Sequence, residues 1–181
     1  MEAHIFCTLS NSLKYEENLK YVISPYTRLS MLESKIIIKD SLGNIQDYHF
    51  ITDVYTIFTQ FNDSLDFIDI KNNFVLSNKD SLYLPKFVNQ ILVDTLSIKN
   101  FKNIFKTPDL LTNQWSFFYD TYPRANGYLI ISRPGISSDK QWAIIFYEIH
   151  RNSLDGSGNF VLLKRIGDEW KIVESINQWV S

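Results

Sequence analysis

The sequence predicts an α+β fold: N-terminal helices with a small strand pair, then a C-terminal antiparallel sheet of about four strands in meander order. Three observations predict it. Apolar residues recur at helical spacing in the first half. From residue 127 they alternate with polar ones, as in half-buried strands. Helices come mostly first and strands mostly last, which is the α+β order rather than a regular βαβ succession.

Each element has its own signal. Ala3, Phe6, Leu9 and Leu13 fall on one side of a helix reaching to about residue 20. Pro25 lies beyond it and stops continuation. Ile36-Ile37-Ile38 is a β-branched run. Ser41-Leu42-Gly43-Asn44 is a turn after it, and residues 46–50 return as a partner strand. Thr52 is an N-cap for a helix carrying Val54, Ile57, Phe58 and Phe61 on one face. Ser64 caps the next helix, where Leu65, Ile68, Asn72 and Val75 share a face and Asp66 meets the dipole in the first turn. Residues 87–96 read as a strand. Ser97 caps a short helix with Phe101, Ile104 and Phe105 inward. Residues 113–122 are aromatic-rich and stop at Pro123, and their periodicity fits either kind of element.

The final third is clearer. Residues 127–132 form one strand and 141–150 a second. In the second, Trp142, Ile144 and Phe146 lie on one face and Ala143, Ile145, Tyr147 and Ile149 on the other. Two apolar faces mark a central strand. Residues 160–166 form the third strand. Gly167-Asp168 is a two-residue hairpin turn, and residues 170–180 form the fourth, with Trp170, Ile172 and Ile176 on one face. Short links between consecutive strands imply antiparallel neighbours. Arg133-Pro134-Gly135 is expected as a loop. The whole of 1–181 reads as a single domain, with Asn126-Gly127 as the candidate subdomain junction.

The residues at these elements resemble a group of uncharacterised bacterial proteins common among Bacteroidota. The resemblance rests on the run from Gly127 to Arg133, on Trp142-Ala143-Ile144, and on Gly156-Ser157-Gly158 leading into Phe160-Val161-Leu162-Leu163-Lys164. It continues at Trp170-Lys171-Ile172 and Trp179-Val180-Ser181. It covers roughly the last 60 residues and implies a shared sheet, with no activity attached. Some of that group carry cysteines before the glycine pair, where this chain has Asn152-Ser153-Leu154-Asp155.

Composition excludes several function classes. Net charge is −2 and no basic block exists, so a nucleic-acid partner is not expected. The best basic cluster, Lys99, Lys102 and Lys106, reads as a solvated helix face. The one cysteine, Cys7, precludes an intrachain disulfide and any multi-thiolate metal site. It reads as a small core residue, although His4 is one turn away. No stretch approaches the about 20 apolar residues of a membrane span. The start Met1-Glu2-Ala3-His4 lacks a signal-peptide pattern, so the expected setting is cytoplasmic as written, or the cell envelope if an export signal has been removed. Asn62-Asp63-Ser64 fits a glycosylation acceptor in a secretory setting only.

No catalytic motif is present, and no cofactor or metal is implied. Glu148 and His150, two apart on a strand, point the same way and are the candidate acid–base pair. The plainer expectation is a strand end leaving the core, where both meet water. Asp155-Gly156-Ser157-Gly158 is expected as a hairpin loop whose glycines supply positive φ, rather than a phosphate-binding turn, because it leads into a strand. Ser157 lacks the flanks of a nucleophile elbow. Trp115, Tyr119 and Tyr122, with Phe117 and Phe118, form the densest aromatic cluster. Trp115, Tyr119, Tyr122 and Asp155 are the candidate binding residues, beside the simpler expectation that the aromatics pack on the sheet. The reading is therefore a non-catalytic binding or interaction domain for a protein or small polar ligand. A hydrolase-like enzyme built around Glu148, His150 and the loop at Asp155 is the alternative.

Overall fold

The computed structural model describes residues 1–17, 22–23, 36–39, 45–48, 64–78, 94–95, 104 and 111–181. Its helices are α1 (Glu2–Glu17), α2 (Ser64–Ser77) and α3 (Leu111–Thr121). Its strands are β1 (Val22–Ile23), β2 (Ile36–Lys39), β3 (Ile45–Tyr48), β4 (Asp94–Thr95), β5 (Tyr128–Ile131), β6 (Gly135–Ile136), β7 (Trp142–His150), β8 (Gly156–Ile166) and β9 (Glu169–Val180). The expected helix at 52–61, the strand residues before Asp94, the helix from Ser97 apart from Ile104, the three lysines and the turn at 41–44 lie outside the described residues.

The α+β architecture is as expected. β5, β7, β8 and β9 follow one another as antiparallel neighbours, and β2 pairs antiparallel with β3 as a separate ribbon. The main sheet is larger than the meander alone. Its seven strands run β4-β1-β5-β7-β8-β9, with β6 beside the other end of β7. β1 lies parallel to both β4 and β5, so residues from the first half extend the C-terminal sheet. The expected loop at Arg133-Pro134-Gly135 is shorter, because Gly135 and Ile136 pair with Ile144 and Ala143.

β7 is central, and both of its faces are covered. On one face α1 sets Ile5, Phe6, Leu9 and Leu13 against Leu129, Ile145, Val161, Leu163 and Trp170. On the other face, α2 sets Ile70 and Phe74 against Ile144, Phe146, Phe160 and Leu162. Farther along that face, α3 sets Phe118 against Tyr128 and Ile130, with buried Ile104. A fully buried Phe or Leu of this kind stabilises by about 1.5–3 kcal/mol. These three apolar seams therefore dominate the energetics over half-buried ion pairs such as Glu2–Arg133 at 2.6 Å.

Three expectations about faces are corrected. The inward face of α2 is Ile70 and Phe74, while Ile68 is 41% exposed and Asn72 is exposed. The helix carries apolar residues nearly all round, so tertiary contacts choose the face. A Cβ on Gly135 would stand 2.6 Å from Cα and N of Phe74, so the missing side chain lets the α2 backbone lie directly on β6. Cys7 is not core: it is half-buried and lines an open groove of about 660 Å³ between α1 and the start of β9, with His4, Thr8 and Trp170. Ile176 does not share a face with Trp170 and Ile172. The register steps from Leu163↔Ile172 to Leu162↔Glu174, leaving Val173 as an extra residue, and this bulge turns the rest of β9 over. Ile172 consequently packs with the α1 seam and Ile176 with the α2 seam.

Candidate functional site

The residues named from sequence as candidates gather at one end of the sheet, on the face that α2 and α3 share. Glu148 and His150 close β7 on that face. Glu148 pairs with Ile130 on one side and Gly158 on the other; His150 pairs with Tyr128 and Gly156. The turn after His150 is held by Arg151 N–H donating to Asp155 O at 2.8 Å. Gly127 stands beside this strand end with φ 145°. A Cβ there would stand 2.6 Å from the His150 carbonyl oxygen, so only glycine fits.

Glu148 overturns the expectation of a carboxylate meeting water: it is 2% exposed. His150 is 29% exposed, and its Nε2 lies 3.1 Å from Glu148 Oε2. A buried carboxyl group is costly unless hydrogen-bonded, and the imidazole Nε2 lies within hydrogen-bond distance of it. The geometry fixes the ring as well. Its centroid is 5.7 Å from that of Tyr128 and 5.5 Å from that of Trp179.

Trp179 reaches this place through a second bulge. Gly158↔Trp179 is followed by Asn159↔Asn177, which leaves Gln178 unmatched and turns Trp179 onto the Glu148 face. The glycines then make room. A Cβ on Gly158 would stand 2.7 Å from Cδ1 and Cε2 of the indole, and one on Gly156 would stand 3.0 Å from Cζ3. This corrects the expected glycine loop: Gly156-Ser157-Gly158 is the start of β8, and neither glycine has positive φ. Their role is close approach, so an aromatic ring can lie where side chains would otherwise stand. The loop shrinks to the residues between His150 and Gly156.

The aromatic cluster lies on α3. Phe118 is fully buried, and Trp115, Tyr119 and Tyr122 pack around it, with ring centroids 5.6, 5.1 and 5.5 Å away. Tyr119 donates its hydroxyl to Arg151 O at 2.7 Å. Partial burial, with Asp155 nearby, pushes its phenol up, and Arg151 opposes that shift. Arg151 in turn pairs with the half-exposed Asp155 at 3.2 Å. Trp115 and Tyr122 thus serve as framework, while Tyr119 and Asp155 brace the loop beside His150. Phe117, on the opposite side of α3, is exposed.

Sequence reasoning named Glu148 and His150 but missed Trp179 and Tyr128 as their partners. The signal for Trp179 was present in the two glycines spaced by one residue opposite a strand ending in tryptophan. A register bulge, which no local pattern announces, was needed to use it. Among the described residues, no group of three His, Cys, Asp or Glu side chains could hold a metal ion. Two open clefts among the described residues, one at α1 with β9 and one at α2 with β6, include neither Glu148 nor His150. No described helix is long and apolar enough to cross a membrane. Comparison with protein-family models, curated proteins and solved structures returns no match.

Proposed function

We propose that this chain is a non-catalytic interaction domain whose recognition surface is the sheet end around His150 and Trp179. One observation carries the reading: His150 is held on three sides, by buried Glu148, Tyr128 and Trp179, yet keeps part of its ring at the surface. A side chain so fixed presents one geometry to a ligand and loses little entropy on binding. Among the described residues, no serine, threonine or cysteine hydrogen-bonds to the oriented imidazole. An acyl-transfer enzyme needs that neighbour within hydrogen-bond reach of its base.

The hydrolase reading keeps one point in its favour, since a buried carboxylate behind a histidine is also how a general base is oriented. A thermal-shift screen of small polar ligands and metal ions on the intact protein, run in parallel with His150→Ala, separates the two. A ligand that binds the folded state raises the melting temperature by mass action. The interaction reading expects such a ligand for the wild type and a loss of its effect in the variant, with no turnover of any compound. Turnover that disappears in His150→Ala would sink it.

A further inference from the structure

We propose that the outer edge of β9 is a pairing surface for a second copy of this chain, joined antiparallel about a two-fold axis through Ile176. β9 is the last strand of the main sheet. Among the described residues, its hydrogen-bond partners are β8 and the Thr8 hydroxyl. The ladder fixes which of its backbone groups face outward. Gly156 and Ser181 exchange both backbone bonds, at 3.4 and 3.0 Å. Bonded and unbonded positions alternate along an antiparallel strand. Even-numbered residues of β8 therefore bond to β9, and odd-numbered ones turn to β7, as Arg165 does by donating its N–H to Gln141 O at 2.8 Å. The β9 residues opposite the odd set are Trp170, Ile172, Ser175, Asn177 and Val180, and they direct N–H and C=O away from β8. Trp170 agrees with this phase, since its carbonyl oxygen accepts the Thr8 hydroxyl at 3.2 Å.

The spacing of the other four selects the occupant. A straight edge offers outward groups at every second residue. Here the bulges at Val173 and Gln178 widen the interval to three residues on either side of Ser175 and Asn177, so the order of intervals, three, two, three, reads the same in both directions about Ile176. Bulges ordinarily blunt an edge because a straight strand cannot follow them. A second copy running antiparallel carries the same kinks, so Ile172 meets Val180 and Ser175 meets Asn177, each twice. The side chains match as well. An axis perpendicular to the sheet keeps each face on its own side. On the α1 face, half-buried Ile172 lies beside Val180, which is 74% exposed, and exposed Ser175 lies beside exposed Asn177. On the α2 face, half-buried Ile176 meets itself, and the Glu174 carboxyl meets the Gln178 amide, an acceptor against a donor.

This pairing is independent of the reading at His150, which uses the Trp179 ring rather than the outer backbone of β9. Sedimentation equilibrium of the intact protein over a range of concentrations tests it, and the expected result is a concentration-dependent dimer. Asn177→Pro removes an outward N–H and no bond to β8, so it should abolish the dimer while the far-UV circular dichroism stays unchanged. Gln178→Glu and Gln178→Lys test the register even if the proline variant fails to fold. Each new charge faces Glu174 of the other copy twice per dimer, so the dissociation constant should rise about fivefold with Glu and fall about fivefold with Lys. A monomer at every concentration up to about 1 mM overturns the proposal, including one that pairs instead with an unrelated extended peptide. A folded Asn177→Pro that still dimerises overturns it, and so does a dissociation constant indifferent to the sign of the charge replacing Gln178.

Discussion

The side chain of Asn78 hydrogen-bonds both backbone groups of Arg133, donating from Nδ2 to its carbonyl oxygen at 2.8 Å and accepting its N–H at Oδ1 at 2.7 Å. The same Nδ2 donates to Phe74 O at 2.9 Å. One amide thus stands in for a short strand partner beyond β5 and closes the end of α2. Asn78→Asp keeps the acceptor but turns a carboxylate toward two carbonyl oxygens. It is expected to cost about 1–3 kcal/mol in denaturant unfolding. A change within experimental error would show that these bonds contribute nothing net.

Gly158 should tolerate no side chain while Trp179 is present. Gly158→Ala is expected to destabilise by about 1–3 kcal/mol, because the methyl overlaps the indole. In a Trp179→Ala background the same substitution should cost much less. A double-mutant cycle measures the difference, and additive costs would mean that the two residues do not meet.

Ser132 is fully buried, and its hydroxyl accepts Phe146 N–H at 2.8 Å while its own N–H donates to Phe146 O at 2.9 Å. Ser132→Ala strands a buried amide in the middle of β7. The expected cost is about 1–3 kcal/mol, read as a lower denaturation midpoint at unchanged slope. Ser132→Cys, with a weaker acceptor of similar shape, should fall between.

Asp139 closes the turn between β6 and β7. It accepts from the Ser137 hydroxyl and from Gln141 N–H, in that order of effect, and both hold its carboxyl below the usual range. The folded state therefore binds this proton less readily than the unfolded chain. The stabilisation is complete above the ordinary aspartate value of about 3.9 and is lost as pH falls through the lower, folded value. Tyr119 works at the other end of the scale: its phenol is raised, so stability declines as pH climbs past its ordinary value of about 10. Acid titration of unfolding should lose its low-pH component in Asp139→Asn, and alkaline titration its high-pH component in Tyr119→Phe. An unchanged profile in either variant refutes the corresponding assignment.

Several elements could be read directly. Alternation from Trp142 to Ile149, apolar on both faces, announced a central strand. Gly167-Asp168 announced the β8–β9 turn, where Gly167 takes φ 64° between paired Ile166 and Glu169. Phe6, Leu9 and Leu13 announced the buried side of α1. These readings succeeded because each depends on spacing within one element.

The readings that missed depended on a partner. Trp170, Ile172 and Ile176 look like one stripe until Val173 slips out of register against β8. Gly156 and Gly158 look like a loop until Trp179 lies across them. Cys7 has the spacing of a core residue, but the groove beside β9 leaves it half-open. Glu148 looks like a strand end in water until His150 and Trp179 stand over that part of the sheet.

By itself, then, the order of residues determined the α+β class, the central strand and the turn that begins β9, because hydrophobic period and turn chemistry are properties of a short stretch of chain. Only the tertiary structure decided that Glu148 is buried, that His150 stands between Tyr128 and Trp179, and that two glycines yield their place to an indole. Those outcomes rest on strand register, where an extra residue on β9 exchanges inward and outward faces, and register is settled by packing between segments that are distant along the chain.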